Sequence, residues 1–501
     1  MSLQSETGSP PKKATERNSF IFNIIIVMGG TSIGALITVV ATPIITRYFT
    51  PDAFGIFAVF SSIVSILSII ACMRYEAAIM LPKSDEEAIN IFALGLLIAF
   101  LLSSLLLPVF FFFQSQIIAL FNLPSLGSYI LIIPLMVFIN GVFTSLYYWN
   151  TRKKNFKRLA GARITTSVVT NGSQLGSAFI GFVTAGGLII GSILGTLAST
   201  IVLALQIWRF DLPVLKSNIR WNSMVYNLRR YRNFPIFDTS SAFLNNLSWQ
   251  LPVFMLAAFF SPTIVGYYSL GLMVLFFPMN LIGSSLSQNF FQKAVESKEQ
   301  GTLGQLVEQV FAVLVTVGLY PIFLLTLVGA NVFIVIFGPA WGEAGVYLQI
   351  LSIWAFVWFV SSPLSGVFAV LEKQAYGLKL NIAIISTRFG SLLIGGLLGN
   401  PLLALGLFAG TGIFVYGYMN WSIMRFAGSS LVFVRTTLIH NFILFIPAGI
   451  LILFIKFITV NNYVITFASL LILLVYYAYL LKTNERIKGI FNQITGGLIR
   501  V

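Results

Sequence analysis

Runs of mostly apolar residues, each long enough to cross a lipid bilayer as a helix, follow one another along this chain. A crossing helix needs about 20 such residues. Fourteen runs meet that length, at approximately 20–46, 53–80, 89–113, 129–149, 162–183, 187–208, 238–260, 265–290, 306–328, 345–371, 378–398, 402–424, 438–457 and 462–481. Only 9% of the 501 residues are charged, against about 25% in soluble proteins. We predict an all-α integral membrane protein with about 14 transmembrane helices.

The basic residues indicate which helix ends face the cytoplasm. If the N-terminus is inside and the helices alternate, 26 of the 30 Lys and Arg fall in inner segments, and only Arg47 and Lys456 fall outside. This asymmetry is typical of plasma-membrane proteins. We therefore expect a multi-pass membrane protein with both termini cytoplasmic. The net charge of +15 then needs no nucleic-acid partner.

Two similar motifs indicate an internal repeat. YFTPDAFGIF, at 48–57, and FFSPTIVGYY, at 259–268, align on Gly55 and Gly266. Each joins two apolar runs, and six helices separate them, so the two units have the same orientation. Two parallel six-helix repeats are a transporter architecture. The alternative is that F-[ST]-P-x3-G is merely a common hairpin sequence.

The repeat divides the chain into six predicted segments. They are a disordered cytoplasmic tail at 1–19, an N-terminal lobe at 20–208, a cytoplasmic linker at 209–237, a C-terminal lobe at 238–424, extra helices at 438–481 and a cytoplasmic tail at 482–501. The linker contains WNSMVYNLRRYRNF. That sequence favours either a surface helix on anionic lipid or a solvated connection.

Polar side chains recur at helical spacing in the predicted helices 1, 2, 7 and 8, which are equivalent pairs of the two lobes. The candidates for lining a cavity between the lobes are Thr38, Thr42, Ser65, Asn245, Asn246, Gln250, Asn280 and Ser284. The alternative is ordinary packing, because small polar residues are common where membrane helices touch.

Charges inside membrane spans are costly and tend to mark function. Arg388 lies in the middle of predicted helix 11, so we expect it either to face a wet cavity that takes an anionic ligand or to pair with a carboxylate. Arg74 and Glu76 are further candidates, with snorkelling or interhelical pairing as the alternative. On a continuous helix, two residues at this spacing do not face one another. Arg47 could guard an outer vestibule.

The sequence contains no enzyme motif. It has no P-loop and no H-E-x-x-H, and Cys72 and His440 are its only cysteine and histidine. We therefore expect no metal, no cofactor and no catalytic residue. Without a nucleotide-binding domain, any uphill transport must draw on a gradient, the membrane potential or substrate consumption.

Three blocks of sequence resemble the bacterial polysaccharide transporters. They are PIITRYFTPDAFGIFAVFSSI, RYEAAIMLPKSDEEA and LPVFMLAAFFSPTIVGYYSLGLMVLFFPMNLIGSSLSQNFFQ, and the resemblance extends over about 18–430. These are Wzx-like oligosaccharide flippases of the multidrug/oligosaccharidyl-lipid/polysaccharide exporter superfamily. The resemblance implies two lobes around a cavity that opens alternately to each side. It also implies an undecaprenyl-diphosphate-linked oligosaccharide as substrate, moved from the inner to the outer leaflet for lipopolysaccharide O-antigen or exopolysaccharide. Other membrane proteins of polysaccharide assembly are candidate partners.

Two other functions are compatible with such a chain. A multidrug or organic-cation antiporter of the same superfamily usually needs a buried carboxylate, and no acidic residue lies near the middle of a predicted span. A polysaccharide polymerase typically needs a large outer loop, which this sequence does not offer. Related lipid II flippases carry arginines within helix 1, whereas this chain has none there before Arg47, which argues against lipid II as the substrate.

Overall fold

The chain folds into a bundle of long helices that confirms the all-α membrane prediction. The computed structural model describes residues 12–121 and 123–483, with side chains described outside 12–28, 128, 212–216 and 278–289. Within that part no strand occurs, and fourteen helices have 20 residues or more. They are α1 (Lys12–Tyr48), α2 (Pro51–Ile70), α3 (Asp85–Phe112), α4 (Ile133–Arg152), α5 (Phe156–Phe179), α6 (Ala185–Asn218), α7 (Thr239–Phe259), α8 (Pro262–Glu299), α9 (Leu303–Phe337), α10 (Gly342–Leu364), α11 (Gln374–Leu397), α12 (Pro401–Ala427), α13 (Leu431–Ile458) and α14 (Asn462–Thr483).

Shorter helices connect these spans. The α-helical pieces are Tyr75–Ala78, Gln114–Phe121, Gly127–Ile130, Trp221–Arg230 and Val367–Val370; Pro124–Leu126 and Pro339–Trp341 are 3₁₀ turns, and Phe234–Asp238 is a π-turn. Each of the fourteen predicted runs corresponds to one long helix. Helix α1 begins at Lys12, so it extends into the segment 1–19 that was expected to be disordered.

Ten of the described helices are apolar and long enough to cross a membrane by composition alone, and Pro262–Phe277 of α8 is a shorter apolar stretch. Helices α4, α5 and α7 fall short of that apolarity. They carry amides that are wholly or partly shielded inside the bundle, such as Asn150 in α4, Asn171 in α5 and Asn246 in α7. These three helices therefore supply polar groups to the interior.

The repeated F-[ST]-P motif is a helix start. Thr50 and Ser261 precede α2 and α8, and their side chains accept hydrogen bonds from the backbone N–H groups of Ala53 (3.3 Å) and Ile264 (3.4 Å). Proline occupies the first helical position in both cases, where its missing N–H costs nothing. The motif therefore begins the second helix of each pair.

The two glycines of the repeat pack against each other's helix. A Cβ atom on Gly55 would lie 1.7 Å from the carbonyl oxygen of Pro262, and one on Gly266 would lie 1.9 Å from that of Pro51. Only glycine permits this approach. The reciprocal contact joins the start of α2, in the predicted N-terminal lobe, to the start of α8, in the predicted C-terminal lobe. Both lobes are named here by their predicted bounds.

Helix α2 ends sooner than predicted. The expected span 53–80 stops at Ile70, and the chain then turns through Met73 and Arg74, whose φ angles are 49° and 61°. A left-handed conformation at two successive residues interrupts the helix before Tyr75. We call the side that holds Arg74, Arg152 and Arg230 the basic side, and the side that holds Gly55 and Gly266 the far side.

Candidate functional site

A polar cavity of about 460 Å³ lies between α2, α4 and α6 of the N-terminal lobe and α7 of the C-terminal lobe. Its walls combine hydroxyl and amide groups with one arginine and one glutamate. The lining residues are Phe60, Ser61, Val64, Ser65, Ser68, Ile69, Arg74, Glu76, Met136, Asn140, Thr144, Ser192, Thr196 and Asn246. The cavity can therefore offer many neutral hydrogen bonds and one charge of each sign.

Polar contacts between α2 and α7 join the lobes beside this cavity. Ser62 donates to the side-chain oxygen of Gln250 at 2.9 Å. The amide nitrogen atoms of Asn246 and Gln250 lie 3.2 and 3.4 Å from the Ser65 hydroxyl. The structure thus brings together three predicted residues, Ser65, Asn246 and Gln250, and adds Ser62.

The other polar candidates lie elsewhere. Thr38 accepts a hydrogen bond from Asn171 (3.1 Å), and the Thr42 hydroxyl donates to the Thr38 carbonyl (2.7 Å), so both serve the packing of α1. Asn245 is exposed and does not line the cavity. The side chains of Asn280 and Ser284 lie outside the described residues.

Three charged residues link the lobes at the basic side, and we call them the latch. The Arg74 Nε atom donates to Asp238 Oδ2 at 2.7 Å, and Arg74 Nη1 lies 3.6 Å from Glu76 Oε1. Arg74 and Glu76 belong to the N-terminal lobe, whereas Asp238 directly precedes α7. The expectation that Arg74 and Glu76 cannot face one another is wrong, because the helix is interrupted before them.

Glu76 is the most constrained member of the latch. Only 4% of its surface is exposed, and its Oε2 atom has no hydrogen-bond partner within the described residues. Burial raises the pKa of Glu76 to about 6, although a backbone hydrogen bond and the nearby Arg74 partly oppose this shift. Burial therefore favours the neutral form of this carboxyl group.

Arg388 is buried inside the C-terminal lobe. It is 5% exposed and donates from Nη1 to the Ser248 carbonyl (3.1 Å) and from Nη2 to the Tyr416 hydroxyl (2.9 Å). Its guanidinium lies 4.4 Å from the centre of the Trp249 ring. Among the described residues, Arg388 neither lines the cavity nor pairs with a carboxylate. Neutral oxygens and an aromatic face stabilise the cation instead. A role in substrate binding stays a prediction.

Arg47 fastens the far side. Its Nη2 atom donates to the Val335 carbonyl in the last turn of α9 at 2.7 Å, which suits a cation at a helix C-terminus. Beside it, the fully buried Trp341 donates from Nε1 to the Thr46 carbonyl at 2.9 Å. These contacts join the two lobes at the place where we expected Arg47 to guard an outer vestibule. Trp341 was not among the predicted site residues.

Comparison with solved structures shows the fold class of this protein. The structure titled "Lipid II flippase MurJ, inward closed conformation" is similar, with a TM-score of 0.68, 13% identity, and coverage of 92% of this chain and 99% of that chain. An inward-facing multidrug resistance MATE family transporter of the MOP superfamily has a TM-score of 0.56 at 15% identity, covering 82% and 99%. A mutant of the MATE transporter VcmN from Vibrio cholerae has a TM-score of 0.51 at 16% identity, covering 81% and 95%. These likenesses show the fold of a multi-pass membrane transporter.

The sequence places the protein in a family within that class. Residues 44–345 match the family described as "Polysaccharide biosynthesis protein", so the chain belongs to this family. No curated protein matches the sequence. The predicted membership of a polysaccharide family is thereby confirmed, and the shared fold is consistent with the exporter superfamily.

Proposed function

We propose that this protein is a flippase that moves an undecaprenyl-diphosphate-linked oligosaccharide from the inner to the outer leaflet of the bacterial plasma membrane by alternating access. The observation that carries the proposal is the cavity between the lobes, where Arg74 is the cation in a wall of hydroxyl and amide groups. Membership of a polysaccharide biosynthesis family and the fold shared with a lipid II flippase support it.

The chemistry of the cavity suits the head group of such a substrate. Serine, threonine and asparagine side chains can pair with sugar hydroxyls in either direction, and a guanidinium binds phosphate oxygens strongly. Small-molecule sites range over roughly 300–1,000 Å³, so a cavity of about 460 Å³ is large enough to take part of an oligosaccharide. The prenyl chain stays in the bilayer.

The latch gives substrate entry a physical consequence. Arg74 now pairs with Asp238 across the lobes at 2.7 Å. A diphosphate that reaches Arg74 from the basic side competes with this carboxylate, so substrate binding releases the ion pair that helps to hold that side closed. The positive-inside pattern supports a cytoplasmic location of the basic side, where lipid-linked sugars would load.

One feature favours a second candidate function, that of a multidrug or organic-cation antiporter. Glu76 faces the cavity with one oxygen atom free of partners among the described residues, and a buried carboxylate attracts organic cations. MATE transporters share the fold. The two functions differ in which charged residue of the cavity binds the substrate.

Translocation of radiolabelled lipid-linked glycan, measured in inverted membrane vesicles from cells with and without the gene, tests the flippase. We expect Arg74→Gln to abolish translocation, because it removes the phosphate contact. Asp238→Asn, which breaks the same ion pair but keeps the cation, should retain it. The matched control is Arg425→Gln, which changes an exposed arginine of α12 and should leave translocation intact. Unimpaired translocation without the gene refutes the proposal, and loss of ethidium efflux in Glu76→Gln would instead support the antiporter.

A further inference from the structure

The linker between the lobes contains a helix that is docked on the N-terminal lobe. This helix, Trp221–Arg230, turns Met224 and Asn227 inward, where both are buried. Three contacts fix it. The Arg220 backbone N–H donates to Asn90 Oδ1 (2.8 Å), Arg230 pairs with Glu87 (2.6 Å), and the Tyr75 hydroxyl donates to the Leu228 carbonyl (2.8 Å). We call Trp221–Arg230 the linker helix.

The outward surface of the linker helix carries aromatic and basic side chains together. Trp221 is 65% exposed and Tyr226 60% exposed. Arg229 of the helix is exposed, as are Arg220 and Arg232 just beyond its two ends. None of the three has a carboxylate partner in the part of the chain that the structure describes. Aromatic rings with arginines between them are the composition of helices that lie at the headgroup level of anionic bilayers.

The position of the linker helix brings this surface to the membrane boundary. The helix follows the end of α6 and precedes α7 on the basic side, and it packs on the first turns of α3 through Glu87 and Asn90. Its contacts with α3 thus hold it at the end where this span leaves the bilayer. Charge complementarity favours anionic phospholipid over zwitterionic phospholipid as its neighbour.

A direct contact connects the linker helix with the latch. Tyr75, which is 1% exposed, stands between Arg74 and Glu76 in the chain, and its hydroxyl donates to the Leu228 carbonyl of the linker helix. A displacement of the linker helix therefore acts on the segment that presents Arg74 to Asp238.

We propose that the linker helix binds the headgroups of anionic phospholipids, and that this binding keeps the latch closed. Lipid on the arginines holds the helix in its docked position, and the Tyr75 hydrogen bond transmits that position to the latch. The inference goes beyond the proposed function, since it holds whichever substrate the cavity takes.

Lipid quenching in proteoliposomes tests the binding step. A bimane probe is attached at Asn222→Cys in a Cys72→Ser background. Its quenching by brominated phosphatidylglycerol is compared with its quenching by brominated phosphatidylcholine, and the ratio gives the lipid preference. We expect preferential quenching by phosphatidylglycerol, with the preference falling roughly fivefold for each of Arg220, Arg229 and Arg232 changed to Gln. Changes to Lys should retain it. A control triple change of Lys373, Lys379 and Arg435 to Gln, elsewhere on the chain, should leave it intact.

Double electron–electron resonance between spin labels at Met80→Cys and Ser240→Cys tests the coupling between the linker helix and the latch. In nanodiscs, phosphatidylglycerol should narrow the distribution of label-to-label distances in the wild type, toward the distance found when the latch is closed. Tyr75→Phe should not show this change, because it keeps the lipid preference but lacks the hydrogen bond. Equal quenching by both lipids, or a preference that survives removal of the three arginines, overturns the binding. An unchanged response in Tyr75→Phe overturns the coupling. Glycan translocation enters neither readout, so failure here is distinguishable from failure of the flippase proposal.

Discussion

Replacing Gly55 by alanine should open the far side of the protein. The added Cβ would lie 1.7 Å from the Pro262 carbonyl oxygen, whereas a comfortable carbon–oxygen contact is about 3.3 Å. The first turns of α2 and α8 must therefore separate by about 1.6 Å, if the backbone alone responds. The obstacle is a backbone atom, so no side-chain rotation can relieve the clash.

The added Cβ atom at position 55 destabilises only the conformation in which the far side is closed. Overpacking of this kind costs roughly 1–3 kcal/mol. Because α2 and α8 belong to different lobes, the contact exists only while the far side is closed. The substitution should therefore shift the ratio of closed to open molecules by about 5- to 150-fold toward the open form.

Spin labels at Asp52→Cys and Leu398→Cys, in a Cys72→Ser background, report the separation of the lobes on the far side. We expect a longer-distance population in Gly55→Ala, and a similar one in Gly266→Ala, where the Cβ would lie 1.9 Å from the Pro51 carbonyl oxygen. Gly406→Ala is the matched control, since no atom lies within 4 Å of its added Cβ. If Gly55→Ala leaves both the distance distribution and the Tm unchanged, the reasoning is refuted.

Two further predictions concern buried charges. Burial raises the pKa of Glu76 to about 6. Above that pH the carboxylate destabilises the folded state by up to about 2 kcal/mol. This penalty disappears at lower pH, as the carboxyl group takes up its proton. The Tm of Glu76→Gln relative to wild type should therefore increase between about pH 5 and about pH 7.5, and a pH-independent difference contradicts this. Arg388→Lys should lower the Tm more than Arg388→Met, because an ammonium cannot reproduce the planar contacts with Ser248, Tyr416 and Trp249; wild-type stability of the lysine variant contradicts this.

The number and order of the spans could be read from the sequence because membrane thickness sets a minimum apolar length. The break after α2 could not. Nothing in the local sequence requires left-handed φ angles at Met73 and Arg74, neither of which is glycine. Their conformation depends on distant contacts, including those of Arg74 with Asp238 and of Tyr75 with Leu228.

The cavity was only partly predictable for a similar reason. Spacing identified Ser65 and Asn246, but it also selected Thr38 and Thr42, whose hydroxyls donate to carbonyls of their own helix. The walls from α4 and α6 were missed, although Asn140 and Thr144, like Ser192 and Thr196, carry the same four-residue spacing. The spacing of polar residues shows that a helix has a polar face. It does not show which other helix that face contacts, because tertiary packing decides this.

The two closures of the cavity differ in strength, and this difference favours one direction of opening. The far side is closed by reciprocal glycine–backbone contacts and by the fully buried Trp341. The basic side is held by an ion pair whose partners are 30% and 44% exposed. Partly exposed ion pairs contribute about 0–1 kcal/mol to stability, and water solvates their groups well once they separate. Separating the far side instead exposes an indole and apolar helix surface to water. The basic side should therefore open first, which suits loading of a polar substrate from the face where the Lys and Arg residues lie.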